Sequence, residues 1–326
     1  MDENTILSVK DLVTQFKTSN GLVTAVNHVS FDMKKNKVLG LVGESGCGKS
    51  VTSMSIMRLH DPKLTVMKGD IEFEDRNLLA LPEKEMRKIR GNQISMIFQE
   101  PMTALNPLFT IGFQLAEVLT LHQGMKEKKK IRTTVVDILK KVGIPRAEKV
   151  YDEYPHQLSG GMRQRVMIAM ALLCNPKILI ADEPTTALDV TIQAQVLEVM
   201  KALKDEYEMS ILFITHDLGV IAEMVDDVII MYAGRIVEQG PVAEIFNNPQ
   251  HQYTIGLMDS RPSQIQKGER LHCIKGMVPT LDQMPKGCAF APRCDHATAE
   301  CQGAVPELVD MGGGHLVRCL HPGKEA

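Results

Sequence analysis

The sequence predicts an α/β protein built on a mostly parallel sheet, and two patterns carry that prediction. From Gly161 onward, short apolar runs of strand length alternate with helical segments, as in sheets whose parallel strands are joined by helices. Earlier in the chain, a buried-strand pattern at Val38–Val42 runs directly into a glycine-rich turn and a helix. Of the 326 residues, 44% are hydrophobic and 24% are charged, which excludes a wholly disordered chain.

The N-terminal part of the chain is predicted to consist of short strands separated by turns. Strands are expected at Ile6–Val9 and Val13–Phe16, followed by a turn at Ser19–Gly21. Alternating Val29 and Phe31 indicate a further strand. A helix at Ser50–Leu59 follows the glycine-rich turn.

The pattern becomes helical between Gln99 and Tyr154, which suggests an inserted helical subdomain at about residues 100–157. Within it, helices are predicted at Thr110–Leu121 and Lys128–Val142. Beyond it the alternation of helix and strand resumes, with predicted helices at Gly161–Leu173 and Thr191–Tyr207 and strands at Ile178–Ala181 and Ser210–Ile214. After about Gly240 this rhythm is lost and Pro, Gly, Cys and His become frequent. We therefore predict one domain at 1–247 and a small irregular extension at 248–326.

Charge and apolar patterning limit the partners and the compartment. With 37 Lys and Arg against 40 Asp and Glu, the net charge of −3 argues against a general nucleic-acid binder. The basic run at Lys126–Lys130 is more typical of a solvated helix start than of a nucleic-acid patch. Met1–Lys10 lacks the pattern of a secretory signal, and no window approaches the ~20 apolar residues needed to cross a bilayer. The expectation is a soluble protein in a reducing compartment.

The glycine-rich turn fits the pattern of a P-loop. Its residues lie between a strand and a helix, and they are Gly43, Glu44, Ser45, Gly46, Cys47, Gly48, Lys49 and Ser50. Glycines let backbone N–H groups wrap phosphates, Lys49 adds positive charge at the β- and γ-phosphates, and the Ser50 hydroxyl is a ligand for Mg²⁺. A chance glycine-rich turn would not carry the Lys and Ser as well. The motif predicts nucleoside triphosphate binding.

Two acids end the apolar strand downstream, at Asp182 and Glu183. Taken alone, such a pair is more often found near a helix N-terminus. With a P-loop upstream, Asp182 is expected to hold Mg²⁺ and Glu183 to polarise an attacking water.

A second glycine-containing helix start precedes this acidic pair, as Leu158-Ser159-Gly160-Gly161-Met162. Here the sequence resembles the ATP-binding cassette (ABC) ATPases, whose signature reads LSGGQ; Met162 replaces the usual Gln. The resemblance implies a P-loop domain with a mixed-sheet core, an antiparallel β subdomain and an inserted helical subdomain. It also implies a head-to-tail dimer in which Ser159, Gly160 and Gly161 contact ATP held by the other subunit.

Other positions match the motifs of that family in the same order along the chain. By resemblance, Gln99 reaches Mg²⁺ and the attacking water, Asp189 in Ala187-Leu188-Asp189 communicates across the dimer, and His216 contacts the γ-phosphate. Phe16 is a candidate to stack on adenine, although a Phe in an early strand is more often part of the core. The resemblance covers about residues 6–245.

Closer matches point to importers of dipeptides, oligopeptides or nickel. They are the segments at 99–107, 154–158 and 184–195. This group implies a second, non-identical ATPase subunit, two membrane permeases that dock on the helical subdomain, an external binding protein and a peripheral position on the cytoplasmic face of the inner membrane. A nickel importer and a soluble ABC ATPase of DNA repair or translation are the alternatives. The latter often have tandem cassettes or long coiled coils, whereas this chain has one P-loop and no long heptad run.

The extension holds four of the seven cysteines, Cys288, Cys294, Cys301 and Cys319. Their spacing fits neither the usual structural zinc knuckle nor the common ferredoxin runs. The segment at 287–294 resembles the extension of oligopeptide-importer ATPases, and some dipeptide-type members hold a [4Fe–4S] cluster on four such cysteines. Zinc, with help from His296, His315 or His321, and unliganded thiols are the alternatives. Cys47 and Cys174 are expected to be small buried residues, and Cys273 is left unassigned.

Overall fold

The computed structural model describes residues 2–19, 21–99, 104–185, 188–260 and 273–323. The strands of these ranges, in chain order, are β1 (Thr5–Thr18), β2 (Gly21–Lys34), β3 (Val38–Val42), β4 (Thr65–Phe73), β5 (Arg76–Asn77), β6 (Ile94–Ile97), β7 (Ile178–Asp182), β8 (Ser210–Thr215), β9 (Asp227–Tyr232), β10 (Arg235–Pro241), β11 (Val309–Asp310) and β12 (Leu316–Val317). Residues 100–103, Thr186 and Ala187, which belong to two of the matched segments, lie outside the described residues.

The helices complete the element order. They are α1 (Lys49–Ile56), α2 (Glu83–Ile89), α3 (Ile111–Gln123), α4 (Lys128–Lys141), α5 (Ala147–Val150), α6 (Gly160–Leu172), α7 (Val190–Glu206), α8 (Leu218–Met224), α9 (Val242–Asn247), α10 (Gln252–Asp259) and α11 (Ala299–Gly303), with 3₁₀ turns at Pro155–Gln157 and Ala291–Arg293. None of these helices combines the length and the apolar character required to span a membrane.

The chain divides into two compact units, of which the first comprises Met1–Lys34, Val38–Leu79 and Ile214–Ala326. It contains the antiparallel sheet β2-β1-β4-β5. A second set of its strands is mixed, because β9 pairs in parallel with β3 and antiparallel with β10. The antiparallel β subdomain and the mixed sheet that the resemblance implied are therefore confirmed. The strand pattern alone had suggested a mostly parallel sheet.

One strand replaces the two predicted at the N-terminus. β1 runs unbroken through Asp11, where φ is +51° and the register with β2 shifts between Val9 and Leu12. A bulge of this kind inserts a residue without ending the pairing on either side. It also interrupts the apolar alternation, which explains why the sequence pattern looked like two strands.

The second unit comprises Lys35–Lys37 and Ala80–Phe213. Its parallel strands β6 and β7 pair from Ile94↔Ile178 to Ile97↔Ala181. Helices α3, α4 and α6 pack against one another through fully buried side chains that include Leu115, Leu139 and Ile168. The predicted helical region is thus helical where it is described. The exposed Lys128, in the middle of the basic run at Lys126–Lys130, is the first residue of α4.

The region after Gly240 is more regular than its composition suggested. Helices α9 and α10 occupy most of residues 242–259, whereas the cysteine-containing segment described at 273–323 is dominated by turns. The predicted boundary near residue 248 remains a prediction.

Candidate functional site

The glycine-rich segment at 43–50 forms a tight loop between β3 and α1. Two of its glycines have no room for a side chain. A Cβ on Gly43 would lie 2.3 Å from the carbonyl oxygen of Met231, and one on Gly48, where φ is +103°, would lie 2.8 Å from that of Ala25. The loop therefore follows a backbone path that requires glycine. Cys47, between them, is fully buried as expected, and burial raises the pKa of its thiol.

Lys49 lies inside this loop although it is charged. It is the first residue of α1 and only 5% exposed. Its Nζ donates to the carbonyl oxygens of Gly43 at 2.7 Å and of Glu44 at 3.0 Å. The ammonium and the N-terminus of α1 therefore lie together, and both favour a bound anion. Ser50 follows as the second residue of the helix, whereas Ser45 and Gly46 at the tip of the loop are exposed.

A carboxylate and an amide meet at the edge of the second unit where β6 and β7 end. Since the two strands are parallel, their carboxyl ends lie side by side. Gln99 follows β6 and Glu183 follows β7, and the Gln99 Nε2 donates to the Glu183 Oε2 at 2.9 Å. Asp182, the last residue of β7, is 3% exposed. The structure thus brings together three residues that the sequence had assigned to water and Mg²⁺.

Glu183 has an unusual backbone conformation. Its φ is +48°, in the left-handed region that residues other than glycine rarely adopt. Such conformations cost free energy and persist where the surroundings hold them, often at functional sites. One restraint comes from the buried Gln164 of α6, whose Nε2 donates to the carbonyl oxygen of Pro184, the next residue. Sequence reasoning missed Gln164, because a Gln inside a helix gives no local signal of such a contact.

The second glycine-containing helix start lines a surface cavity in the second unit. Ser159 is the N-cap of α6, and its Oγ accepts the backbone N–H of Met162 at 3.3 Å. Asp189 is the N-cap of α7, and its Oδ1 accepts the N–H of Ile192 at 3.0 Å. Ser159, Gly160, Gly161 and Asp189 all line the cavity, and so does the Met162 side chain. Two helix N-termini therefore face one exposed space.

Two further candidates lie at positions that agree with their predicted roles but do not test them. His216 is exposed directly after β8 and before the Asp217 that caps α8. Phe16 in β1 is half-buried and lies edge-on to His60, with 5.2 Å between ring centroids. Phe16 is therefore outside the fully buried core.

The four cysteines of the extension share one small cavity. Cys288, Cys294, Cys301 and Cys319 all line it, with Cys301 the most buried of them. Burial raises the thiol pKa of Cys288, Cys294 and Cys319, which keeps these thiols protonated at neutral pH. Within the described residues, however, no group of three or more His, Cys, Asp or Glu side chains is arranged to hold a metal ion. The predicted cluster has no support from this arrangement.

His251 also lines the cysteine cavity. It is 1% exposed, and its Nδ1 accepts the backbone N–H of Tyr253 at 3.0 Å. Burial lowers the pKa of His251 to about 3, so the ring is neutral and its proton lies on Nε2. This Nε2 has no hydrogen-bond partner among the described residues. A buried donor without a partner costs about 1–3 kcal/mol, so it favours an acceptor in the cavity.

Comparison with known proteins assigns the family. A family model described as "ABC transporter" matches residues 26–186, and one described as "Oligopeptide/dipeptide transporter, C-terminal region" matches residues 237–301. The chain is 53% identical to the oligopeptide transport ATP-binding protein AppD of Bacillus subtilis and 51% identical to OppD of Haemophilus influenzae, with 97% of each chain covered in both cases.

Solved structures agree with this assignment. The dimeric ATP-binding cassette MJ0796 bound to ADP and phosphate superposes with a TM-score of 0.65 at 27% identity, covering 72% of this chain and 98% of that one. CbiO1 of Clostridium perfringens, part of the transporter complex cbiONQ, gives a TM-score of 0.62 at 27% identity, covering 75% and 91%. The chain therefore belongs to the ABC transporter ATPases, in the group of the oligopeptide and peptide import ATP-binding proteins.

Proposed function

We propose that this ATPase powers the import of di- or oligopeptides through a membrane ABC transporter. The observation that carries the proposal is similarity over nearly the whole chain to proteins named for oligopeptide transport. That similarity includes the C-terminal region, where a family model of oligopeptide and dipeptide transporters matches. Nickel import by the same class of machine is the second candidate.

In this proposal Glu183 is the general base that polarises the attacking water. Its hydrogen bond to Gln99 at 2.9 Å supports the role, because an amide that donates to a carboxylate also orients it. The left-handed φ at Glu183 supports it as well. His216, exposed at the end of β8, acts as the sensor of the γ-phosphate.

The phosphates of ATP bind the loop at 43–50, where Lys49 supplies the fixed positive charge. The Ser50 hydroxyl, the Asp182 carboxylate and the Gln99 amide oxygen would hold Mg²⁺, since each is an oxygen donor of the kind that this ion prefers. Bound with ATP, Mg²⁺ neutralises charge on the β- and γ-phosphates. Phe16 stacks on the adenine.

We further propose that the chain works as a head-to-tail ATPase dimer, with a non-identical second subunit. The cavity lined by Ser159, Gly160, Gly161 and Asp189 supports this, because it presents two helix N-termini on the surface. Two membrane permeases dock on the helical subdomain at 100–157, and an external binding protein delivers the substrate. The ATPase then lies peripherally on the cytoplasmic face of the inner membrane.

The transport proposal is tested by uptake in cells that lack this chain. We expect uptake of a labelled oligopeptide to be lost, restored by the wild-type chain and not restored by Glu183→Gln. Nickel uptake measured in the same cells is the control. Loss of nickel uptake with normal peptide uptake would replace the proposed substrate, and normal uptake of both would overturn the assignment to these importers.

For the cysteine quartet we propose a [4Fe–4S] cluster. The thiols supply the donor atoms that such a cluster takes, and the proposal rests on the resemblance of the segment at 287–294 to importer extensions. His251, whose Nε2 has no partner among the described residues, lines the same cavity. When bound, the cluster would require the thiols to be deprotonated and drawn together. His296, His315 and His321 are the alternative partners for zinc. His296 and His321 line the cavity, whereas the buried His315 is paired through Nε2 with Glu238 at 2.7 Å.

Purification without oxygen tests the cluster. We expect a brown protein with about four iron and four sulfide per chain and loss of both in Cys301→Ser. The matched control is Cys273→Ser, which removes an exposed cysteine outside the quartet. A colourless protein that contains zinc, or no metal, would contradict the proposal.

A further inference from the structure

Arg293 connects the cysteine-containing segment to the phosphate loop. It lies directly before Cys294, and its side chain is 6% exposed. Its Nη1 donates to both carboxylate oxygens of Glu44, at 3.0 and 3.2 Å, and to the hydroxyl of Tyr232 at 3.3 Å. Its Nε donates to the carbonyl oxygen of Lys275 at 2.9 Å. Both Arg293 and Glu44 belong to the first unit.

The backbone of Glu44 is held by the same part of the chain. Its N–H donates to the Tyr253 hydroxyl at 2.9 Å. Tyr253 and Tyr232 are fully buried and lie 4.7 Å apart between ring centroids. Phe290, two residues after Cys288, packs edge-on against Tyr232 at 5.3 Å. The side chain and the backbone of one loop residue are thus both fixed by residues beyond position 230.

The charge on Glu44 gives these contacts a consequence for ATP. Glu44 is the second residue of the phosphate loop, so its carboxylate lies in the segment that receives an anion. An unpaired carboxylate there would repel the phosphates, and because the Glu44 side chain is only 30% exposed, water screens its charge in part. The guanidinium of Arg293 neutralises this charge through Nη1, which contacts both carboxylate oxygens of Glu44.

We propose that Arg293 is a positioning residue for ATP binding. It holds and neutralises Glu44, so that the affinity of the phosphate loop for ATP depends on the cysteine-containing segment being folded against it. By thermodynamic linkage, bound ATP stabilises that segment to the same extent. The inference rests on ATP binding alone, and it holds whether or not the cysteines bind a cluster and whichever substrate is transported.

The test measures Mg-ATP affinity of the full-length chain by titration calorimetry. Arg293→Met is expected to weaken affinity by at least about tenfold, because it leaves the Glu44 carboxylate unpaired. The matched control is Arg318→Met, which removes the arginine directly before Cys319. Arg318 donates to the carbonyl oxygens of Ile236 and Pro306 and not to the phosphate loop, so ATP affinity should be unchanged. Wild-type affinity in Arg293→Met would overturn the proposal.

A double variant separates positioning from a general loss of stability. Adding Glu44→Gln to Arg293→Met removes the unpaired charge and is expected to restore most of the lost affinity. A purely structural role for Arg293 would predict no such rescue, so a double variant as weak as Arg293→Met also overturns the proposal. If Arg293→Met does not fold, Arg293→Lys is measured instead. It keeps the charge but loses the Nε–H that holds the Lys275 carbonyl oxygen, so a loss of about threefold is expected. Unchanged affinity would count against the proposal.

Discussion

The two glycine-containing helix starts of this chain differ in what surrounds them. The start of α1 has its own cation, Lys49, which is 5% exposed and held by loop carbonyls. The start of α6 is capped by the exposed Ser159 and faces an open cavity. Arg165, which also lines that cavity, donates to the Val142 carbonyl oxygen at 2.7 Å and to Gln195 at 2.9 Å.

This difference indicates how each start is used. The loop at 43–50 holds Lys49 against its own carbonyl oxygens, so it offers a phosphate a positive charge without a contribution from another subunit. The start of α6 has no such charge of its own, because the neighbouring Arg165 is hydrogen-bonded to Val142 and Gln195. We therefore expect it to contact a phosphate that another subunit holds. The contrast favours the proposed arrangement, in which the second start completes an ATP site on another subunit. Variants of the two helix starts, and of the proposed base Glu183, test this contrast.

The largest effect is expected from Glu183→Gln. Steady-state ATP turnover of the assembled transporter should fall by about 100-fold to 1,000-fold, since the base that polarises water is lost. ATP affinity should stay near the wild-type value, because the phosphate loop is untouched. Glu198→Gln, an exposed acid on α7, is the control. Undiminished turnover would remove Glu183 from its role.

Lys49→Met is expected to act on binding instead. Removing the ammonium should weaken ATP affinity of the isolated chain by about 100-fold, because a buried charge-assisted contact to phosphate is lost. Lys63→Met, at an exposed lysine, should leave affinity unchanged. Equal affinities in the two variants would show that the loop binds phosphate through its backbone alone.

Ser159→Ala tests the second helix start. We expect turnover of the assembled transporter to fall by about 20-fold while ATP affinity of the isolated chain is retained, since its hydroxyl serves ATP on another subunit. Thr110→Ala is matched to it, because Thr110 caps α3 with the same 3.3 Å contact to a backbone N–H. If both variants lose turnover equally, loss of a helix cap explains the effect and the role of Ser159 is contradicted.

The smallest effect concerns the thiols of the phosphate loop and of the extension. Cys47 is fully buried and its thiol pKa is raised by burial, whereas Cys273 is exposed. A maleimide at neutral pH should label Cys273 at least about tenfold faster than Cys47. Mass spectrometry of the native chain, with the unfolded chain as reference, measures both rates. Equal rates in the native chain would show that the loop opens readily.

Much of the ATP site could be predicted from the sequence because its motifs are local. Gly43, Gly48 and Lys49 lie where a strand–loop–helix pattern places them, and their spacing follows from the phosphate they surround. Gln99 and Glu183 were both expected near the attacking water, but only the parallel pairing of β6 with β7 shows that the two side chains meet. The bulge at Asp11 in β1 could not be predicted, because it breaks the alternation on which strand prediction depends.

The sequence by itself determined the family, the phosphate loop and the acidic strand end, because backbone chemistry fixes these motifs within a few residues. Only the tertiary structure decided which distant side chains meet them. Arg293 pairs with Glu44 across 249 residues, and Gln164 holds the carbonyl oxygen of Pro184. Likewise, His251 lines one cavity with four cysteines that lie far from it in the sequence. Such contacts depend on the path of the folded chain, and no local pattern records them.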